Sequence, residues 1–139
     1  TYRVMARDAV DAAASRLGSE ATSRTRGLPL LGAASADQLR SVAAPRDLVH
    51  RYGTLATAVQ SLVQDEPWLA EPVVPGRSTI GAELAYGVLA EGALTAADLV
   101  ERRTRLSLVD ADRDLALAAA SRALDWAQAA SGHGAANRS

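Results

Sequence analysis

The sequence contains no cysteine, no lysine and no phenylalanine. The lack of cysteine excludes disulfides, iron–sulfur clusters and thiolate zinc sites. No apolar run approaches the roughly 18–20 residues that a membrane-spanning helix needs, and no signal-peptide pattern opens the chain. The basic residues are all arginine, and these 15 nearly balance 16 acidic residues, for a formal net charge of −1. Such a balance provides no general attraction to nucleic acid.

Alanine dominates the residues that are present. Of 139 residues, 31 are alanine and 36 are larger apolar residues. Leu, Val and Ile together number 30, about 22% of the chain, just above the composition at which charged chains tend toward disorder. The length suits one domain. We therefore expect a folded helical domain with a modest core.

The spacing of apolar residues predicts an all-α fold of about six helices with short connections. One extended apolar segment, Leu28–Ala33, is expected to be buried, because glycines bracket it and a proline breaks it. Ser35 and Gln38 predict a capping box at a helix start, and Thr54 is expected to cap a later short helix.

Further helix signals lie in the second half of the chain. A helix starting at Ser78 or Thr79 is expected to turn Glu83 and Glu91 outward. The run Thr95–Asp98 predicts a variant of the capping box at the start of the next helix. The last helix is expected to begin near Asp110 or Asp112.

The two ends of the chain are expected to differ from its body. A single domain is predicted over residues 1–131, with residues 1–18 as its first helix and residues 132–139 as a disordered tail. The opening TYRVMARDAV has no initiator methionine and is already in helical register. The chain therefore resembles a piece of a longer protein.

No catalytic or metal centre can be assembled from the sequence. Of the two histidines, His133 lies in the predicted tail, and His50 has only Asp47 as an acidic or histidine neighbour at helical spacing. A solvated or capping role is favoured for His50 over a ligand role. The motifs GxGxxG, GxxxxGK[ST] and GxSxG are absent. We accordingly assign no catalytic residue and no metal ligand.

The densest charged cluster is the run Glu101–Arg105. A functional interpretation makes Arg102, Arg103 and Arg105 contacts to an anion or a nucleic acid. A structural interpretation pairs them with nearby acids, with the arginine stems covering apolar surface. The structural interpretation is favoured, because the acids are as numerous as the arginines: Glu83, Glu91, Asp98 and Glu101.

Residues 91–99 have the rhythm of a helix–turn–helix. A DNA-binding helix would carry Arg, Lys, Asn or Gln at its front, whereas this one carries Ala96, Ala97 and Asp98. DNA binding is therefore disfavoured. Trp68 and Trp126 lack basic or aromatic companions that indicate a stacking platform, so both are expected to pack in the core.

Five short motifs occur in order along the chain, up to about Ala130. They are an initial Thr-Tyr-Arg, a Leu-Pro-x-x-Gly-Ala segment, a helix ending in Tyr-Gly, a Glu-x-x-Tyr helix and an Arg-Arg-Thr motif, at residues 1–3, 28–33, 48–54, 83–86 and 99–105. Each is weak alone, but the ordered set resembles the C-terminal part of FAD-dependent glycerol-3-phosphate dehydrogenases, whose Gly-Gly-Lys-Leu-Thr-Thr-Tyr-Arg signature ends where this chain begins.

The resemblance implies that the chain is the C-terminal helical domain of a flavoenzyme, with residues 1–18 leading out of the missing FAD domain. The parent would oxidise sn-glycerol 3-phosphate to dihydroxyacetone phosphate and pass electrons to FAD and then to a quinone. Related oxidases that reduce oxygen share the domain, so the acceptor stays open. In the family, most flavin contacts lie upstream. Thr1 alone is placed near the flavin, in the parent only, and this chain by itself is expected to be inactive and to bind no cofactor.

Two functional hypotheses follow. In the first, the chain is an accessory domain whose partner is the missing N-terminal FAD and substrate domain, with a homodimer as an alternative contact and no nucleic acid. In the second, it is an autonomous helical module that binds DNA through Arg102, Arg103 and Arg105. A cytoplasmic location is expected, with the parent peripheral on the cytoplasmic face of the membrane.

Overall fold

The computed structural model describes the backbone of residues 2–136 and the side-chain environments through Ala130. This part of the chain is all-α, as predicted: six α-helices are joined by 3-10 turns and one π-helical turn, without a β-strand. The helices are α1 (Tyr2–Arg16), α2 (Ala36–Arg40), α3 (Arg46–Tyr52), α4 (Ala56–Ser61), α5 (Gly81–Leu89) and α6 (Asp110–Ala136). None of the described helices is long and apolar enough to cross a membrane.

The chain divides into two compact units, residues 1–33 and 34–139, where a single domain over 1–131 was expected. The polar stretch 19–26 forms no helix and leads from α1 into a turn. Among the described residues, α1 is therefore the one helix of the first unit. At the end of α1, Gly18 has φ +73°, a left-handed conformation that glycine adopts without strain.

The segment Leu28–Ala33 differs from its prediction in one respect. It is extended and then turns, with the Ala33 amide donating to the Leu30 carbonyl at 3.0 Å, but it is not buried. Leu28, Leu30 and Leu31 are 70%, 82% and 92% exposed. A unit of this size with one helix has too little apolar surface to cover three leucines.

Local capping signals fix the start of the second unit. Ser35 accepts a hydrogen bond from the Gln38 amide, and the Gln38 side chain accepts one from the Ser35 amide, so the predicted capping box is confirmed. Thr54 does not cap a helix as expected. It lies inside the 3-10 turn Gly53–Leu55, whose geometry already satisfies the amides at the start of α4.

Helix α5 lies at the centre of the second unit, because it is buried on nearly every side from Gly81 to Gly87. Ala82 and Ala85 belong to one apolar cluster with residues of α3, α4 and the 3-10 turn Pro67–Ala70. Leu84 faces a second cluster, formed with the π-helical turn Asp98–Arg103 and with α6. Apart from Glu83 and Tyr86, the helix consists of apolar residues and glycines, as is typical of a buried core element.

The two glycines of α5 lie at close contacts of different kinds. A Cβ atom on Gly81 would lie 2.7 Å from the Trp68 carbonyl oxygen, so the turn Pro67–Ala70 packs directly on the helix backbone there. A Cβ atom on Gly87 would lie 2.6 Å from Cδ2 of Leu99, so that leucine side chain packs over the glycine.

Helix α6 supplies the alanine-rich wall of the core. Its buried residues through Ala130 are all alanines at helical spacing: Ala116, Ala120, Ala123 and Ala127. The helix begins at Asp110, as predicted, but it continues to Ala136, beyond the expected end near residue 131. The Ala-rich sequence favours this continuation despite Gly132 and Gly134. Residues 137–139 of the predicted tail lie outside the described residues.

The two tryptophans pack, as predicted, but with companions that the sequence did not reveal. Trp68 and Trp126 meet edge to face, with ring centroids 6.3 Å apart. The guanidinium carbon of Arg122 lies 4.4 Å from the Trp68 ring centroid, a cation–π contact. Arg122 and Trp126 are both on α6, so this group joins α6 to the turn before α5.

Candidate functional site

An ion pair between Arg51 and Glu83 forms the floor of the most polar region of the second unit. Arg51 Nε donates to Glu83 Oε2 at 2.7 Å, and Nη2 donates to Oε1 at 2.8 Å. The Glu83 side chain is 1% exposed. The expectation that Glu83 faces outward is therefore wrong, because Arg51 of α3 covers it from 32 residues earlier in the chain.

The same pair organises the start of α5. The Ile80 amide donates to Glu83 Oε1 at 3.0 Å, so the carboxylate satisfies an amide that the helix start leaves free. Arg51 also donates to the hydroxyl and the carbonyl of Ser78, each at 3.1 Å. Both carboxylate oxygens of Glu83 are thus engaged in bonds that stabilise the fold rather than in catalysis.

Tyr52 extends this network. Burial, followed by the negative charges of Glu83 and Glu91, raises the pKa of Tyr52 above its ordinary value of 10.0. Its ring also meets Tyr86 edge to face, with centroids 5.6 Å apart. The raised pKa therefore keeps the Tyr52 hydroxyl protonated above pH 10.0, where an ordinary tyrosine ionises.

Above this floor lies a cavity of about 450 Å³, which we call the polar cavity. Helix α3 contributes Arg51 and Tyr52, the segment before α5 contributes Thr79, and the run 102–105 forms the opposite side. Glu83 and Glu91 complete the lining. The cavity thus contains four guanidiniums and two carboxylates, so positive charge is in excess.

The capping box predicted at Thr95–Asp98 is confirmed: the Asp98 amide donates to the Thr95 hydroxyl, and the Asp98 carboxylate accepts from the Thr95 amide. Asp98 Oδ2 accepts from the amides of Leu94 and Thr95 at 3.2 and 3.0 Å and from the Thr95 hydroxyl at 2.9 Å. These bonds, that of the Thr95 hydroxyl first, lower the pKa of Asp98. The front of this helix is therefore occupied by a stable negative charge.

The helix that follows departs from α geometry. Residues 98–103 form a π-helical turn, and both the amide and the hydroxyl of Thr104 donate to the Leu99 carbonyl, at 2.9 and 2.8 Å. Arg105 then adopts φ 57° and ψ 25°, the left-handed region. It is the one non-glycine with positive φ among residues 2–136, at a cost of roughly 1–2 kcal/mol for a side chain in this conformation.

The predicted pairing of the Glu101–Arg105 cluster with nearby acids is confirmed only in part. Arg102 forms an ion pair with Asp98, and Glu101 accepts from Arg113 at 3.3 Å. Arg103 and Arg105 have no ion pair with the side chains that the structure describes, through Ala130, and Glu83 is paired with Arg51 instead. The sequence-based interpretation missed this distinction within the cluster.

The other predicted sites lie elsewhere. His50 is exposed and borders an apolar pocket of about 590 Å³ with Leu39 and Val49. No group of three or more potential ligands in the described residues could hold a metal ion. Thr1, the residue placed near flavin in the parent, lies outside the described residues, and the side chain of His133 lies in the undescribed end of α6.

Comparison with known proteins places this arrangement in a family. A family model described as the C-terminal domain of alpha-glycerophosphate oxidase matches residues 23–138, which include all of the second unit except its last residue. No solved structure gives a significant match.

Curated relatives are much longer than this chain. Glycerol-3-phosphate dehydrogenase 2 of Mycobacterium tuberculosis is 36% identical over 135 residues, covering 84% of this chain and 23% of the relative. Glycerol-3-phosphate dehydrogenase 1 of the same species is 41% identical over 123 residues, covering 86% and 24%. A probable mitochondrial glycerol-3-phosphate dehydrogenase of Dictyostelium discoideum is 35% identical over 125 residues, covering 81% and 19%. The chain thus spans about a fifth to a quarter of these relatives, and it belongs to the family of the alpha-glycerophosphate oxidase C-terminal domain.

Proposed function

We propose that this chain is the accessory C-terminal helical domain of an FAD-dependent glycerol-3-phosphate dehydrogenase. The match of residues 23–138 to a family model for such a C-terminal domain carries the proposal. The parent would oxidise sn-glycerol 3-phosphate to dihydroxyacetone phosphate, with electrons passing to FAD and then to a quinone. The chain would support that reaction without contributing a catalytic residue.

The proposed role is structural: the domain packs on the FAD and substrate domain and holds the flavin-facing end of the first helix in place. The hydrogen bonds and ion pairs of two carboxylates in the second unit support this role. Glu83 is engaged by Arg51 and the Ile80 amide, and Asp98 by Thr95 and Arg102. These carboxylates fix helix ends and serve architecture rather than acid–base chemistry.

A chimera tests the role directly. The matching C-terminal region of Mycobacterium tuberculosis glycerol-3-phosphate dehydrogenase 1 is either deleted or replaced by this chain, and FAD content and glycerol 3-phosphate oxidation are measured. We expect the deletion to lose both and the replacement to restore them. A deleted enzyme with full FAD content and activity would contradict the structural role.

The chain alone provides a second test. Purified by itself, it is expected to carry no flavin absorbance and to oxidise no glycerol 3-phosphate. Flavin copurifying in equal molar amount would contradict the accessory role. Gel filtration with light scattering then distinguishes a monomer from the alternative in which the domain mediates dimerisation.

The acceptor and the location are also part of the proposal. The full-length parent should reduce a quinone faster than it consumes oxygen, which an oxygen electrode and a quinone assay compare directly. We expect the parent in the cytoplasm, bound peripherally to the membrane and released from it by high salt. Rapid oxygen consumption would instead indicate an oxidase.

A further inference from the structure

Two arginines of the polar cavity are not used by the fold. The charges of Arg51 and Glu83 cancel each other, and Arg102 is paired with Asp98. The charges that remain at the cavity are Arg103, Arg105 and the half-buried Glu91, so the cavity keeps a net positive charge. Thr79 adds a half-buried hydroxyl to the lining of the cavity.

We propose that the polar cavity binds a small oxyanion of the phosphate or phosphomonoester class, held by Arg103, Arg105 and Thr79. Two guanidiniums and a hydroxyl present several donors to the oxygens of one phosphate group. The volume of about 450 Å³ lies within the range of small-molecule sites. The site does not rest on the proposed packing role.

The backbone at Arg105 supports a binding role for this side chain. The position follows a helix end, where a left-handed residue is usually glycine. Arginine there is unfavourable for folding and gains no ion pair among the described residues. Strained non-glycine residues of this kind concentrate at binding sites, where the side chain is needed.

The position of Arg103 is set by its packing against α5. A Cβ atom on Gly87 would lie 3.8 Å from Cγ and 3.9 Å from Cβ of Arg103, so the arginine stem lies along α5 at the residue with no side chain. The π-helical turn shifts the register of residues 98–103 relative to an α-helix. Such turns occur frequently at functional sites because they redirect side chains.

The test is a titration of the 139-residue chain with inorganic phosphate, with sodium chloride at equal ionic strength as reference. Thermal unfolding and the NMR amide shifts of Thr79, Thr104 and Arg105 are followed. We expect a saturable rise in Tm beyond that in chloride and saturable shifts at these amides. Arg103→Gln and Arg105→Gly should each weaken phosphate binding about tenfold or more, because each removes a charge-assisted contact. Arg40→Gln, the same chemical change on α2 and outside the cavity, should leave it unchanged.

Arg105→Gly separates binding from folding. Glycine relieves the left-handed strain, so without phosphate this variant should have a higher Tm than the unsubstituted 139-residue chain. Its Tm should respond little to phosphate. A phosphate response that is unsaturable, or equal in all three variants, would overturn the proposal. Salt-sensitive binding of duplex DNA by the same arginines, with no response to phosphate, would overturn it in favour of a nucleic-acid contact.

Discussion

Arg51 and Glu83 form a two-point ion pair that ties the last turn of α3 to the first turn of α5, with nitrogen–oxygen distances of 2.7 and 2.8 Å. The two partners are unequal: Glu83 is 1% exposed and Arg51 is 35% exposed. Removing the arginine leaves a buried charge, whereas removing the carboxylate leaves a cation that water can reach. The pair is therefore the part of the fold where one substitution should cost most.

Glu83→Gln should destabilise the chain by about 2 kcal/mol, below the roughly 3–5 kcal/mol typical of a fully buried pair, because Arg51 stays partly hydrated. Urea denaturation measures the free energy of unfolding. Glu101→Gln is the control, since the pair of Glu101 with Arg113 is exposed on both sides and should contribute less than about 1 kcal/mol. Equal costs for the two variants would contradict the burial argument.

Gly81→Ala should destabilise by about 1–3 kcal/mol, as overpacking of a close helix contact typically does. The added methyl group would lie 2.7 Å from the Trp68 carbonyl oxygen and 3.1 Å from Leu69 Cα, so the backbone of the turn Pro67–Ala70 would have to move away from α5. Gly27→Ala is the matched control, because nothing lies within 4 Å of its Cβ position. Thermal unfolding of both variants checks this, and a neutral Gly81→Ala would show that the turn Pro67–Ala70 can move freely.

Tyr52 should make the fold sensitive to alkali. Below pH 10.0 the hydroxyl is protonated in both states, and above it the unfolded chain ionises while the folded chain holds the proton. The free energy of unfolding should therefore fall as pH rises above 10.0. Tyr52→Phe should weaken this fall, and Tyr2→Phe, at an 87% exposed tyrosine, should leave it unchanged. Identical alkaline profiles for all three proteins would argue against a protonated, buried Tyr52.

Asp98 should make the free energy of unfolding sensitive to acid. Its pKa is lowered in the folded chain, so its contribution is fully present above the ordinary value of 3.8 and is lost as pH falls below it. Asp98→Asn should remove part of the acid dependence of the free energy of unfolding. Asp114→Asn, at an exposed carboxylate on α6, serves as control. An unchanged acid limb in Asp98→Asn would show that the capping bonds do not depend on the charge.

Local signals in the sequence predicted a good part of this fold. The capping boxes at Ser35 and Thr95 are set by residues three positions apart, so they can be found without a structure. The start of α6 at Asp110 was also predicted. The burial of Glu83 could not be found this way. A helical wheel places Glu83 on an outer face of α5. It is buried because Arg51 of α3 packs over it, a long-range contact that the sequence does not indicate.

The polar cavity was predictable in composition but not in arrangement. The Glu101–Arg105 run stood out as charged, yet which arginines pair depends on a π-helical turn that no spacing rule indicates. A glycine at position 105 would have signalled a left-handed residue, whereas Arg105 gives no such signal. The exposure of Leu28–Ala33 was missed because its apolar composition, without a partner surface in its own unit, does not determine burial.

The alanine face of α6 has a consequence for how this domain can change. At Ala116, Ala120, Ala123 and Ala127 the buried side chain is a single methyl group. Only glycine has a smaller side chain than alanine, and each carbon added at such a contact must displace a neighbouring helix. Sequence variation in the domain should therefore concentrate on the outer faces of α6, while the spacing between its helices stays fixed by backbone contact.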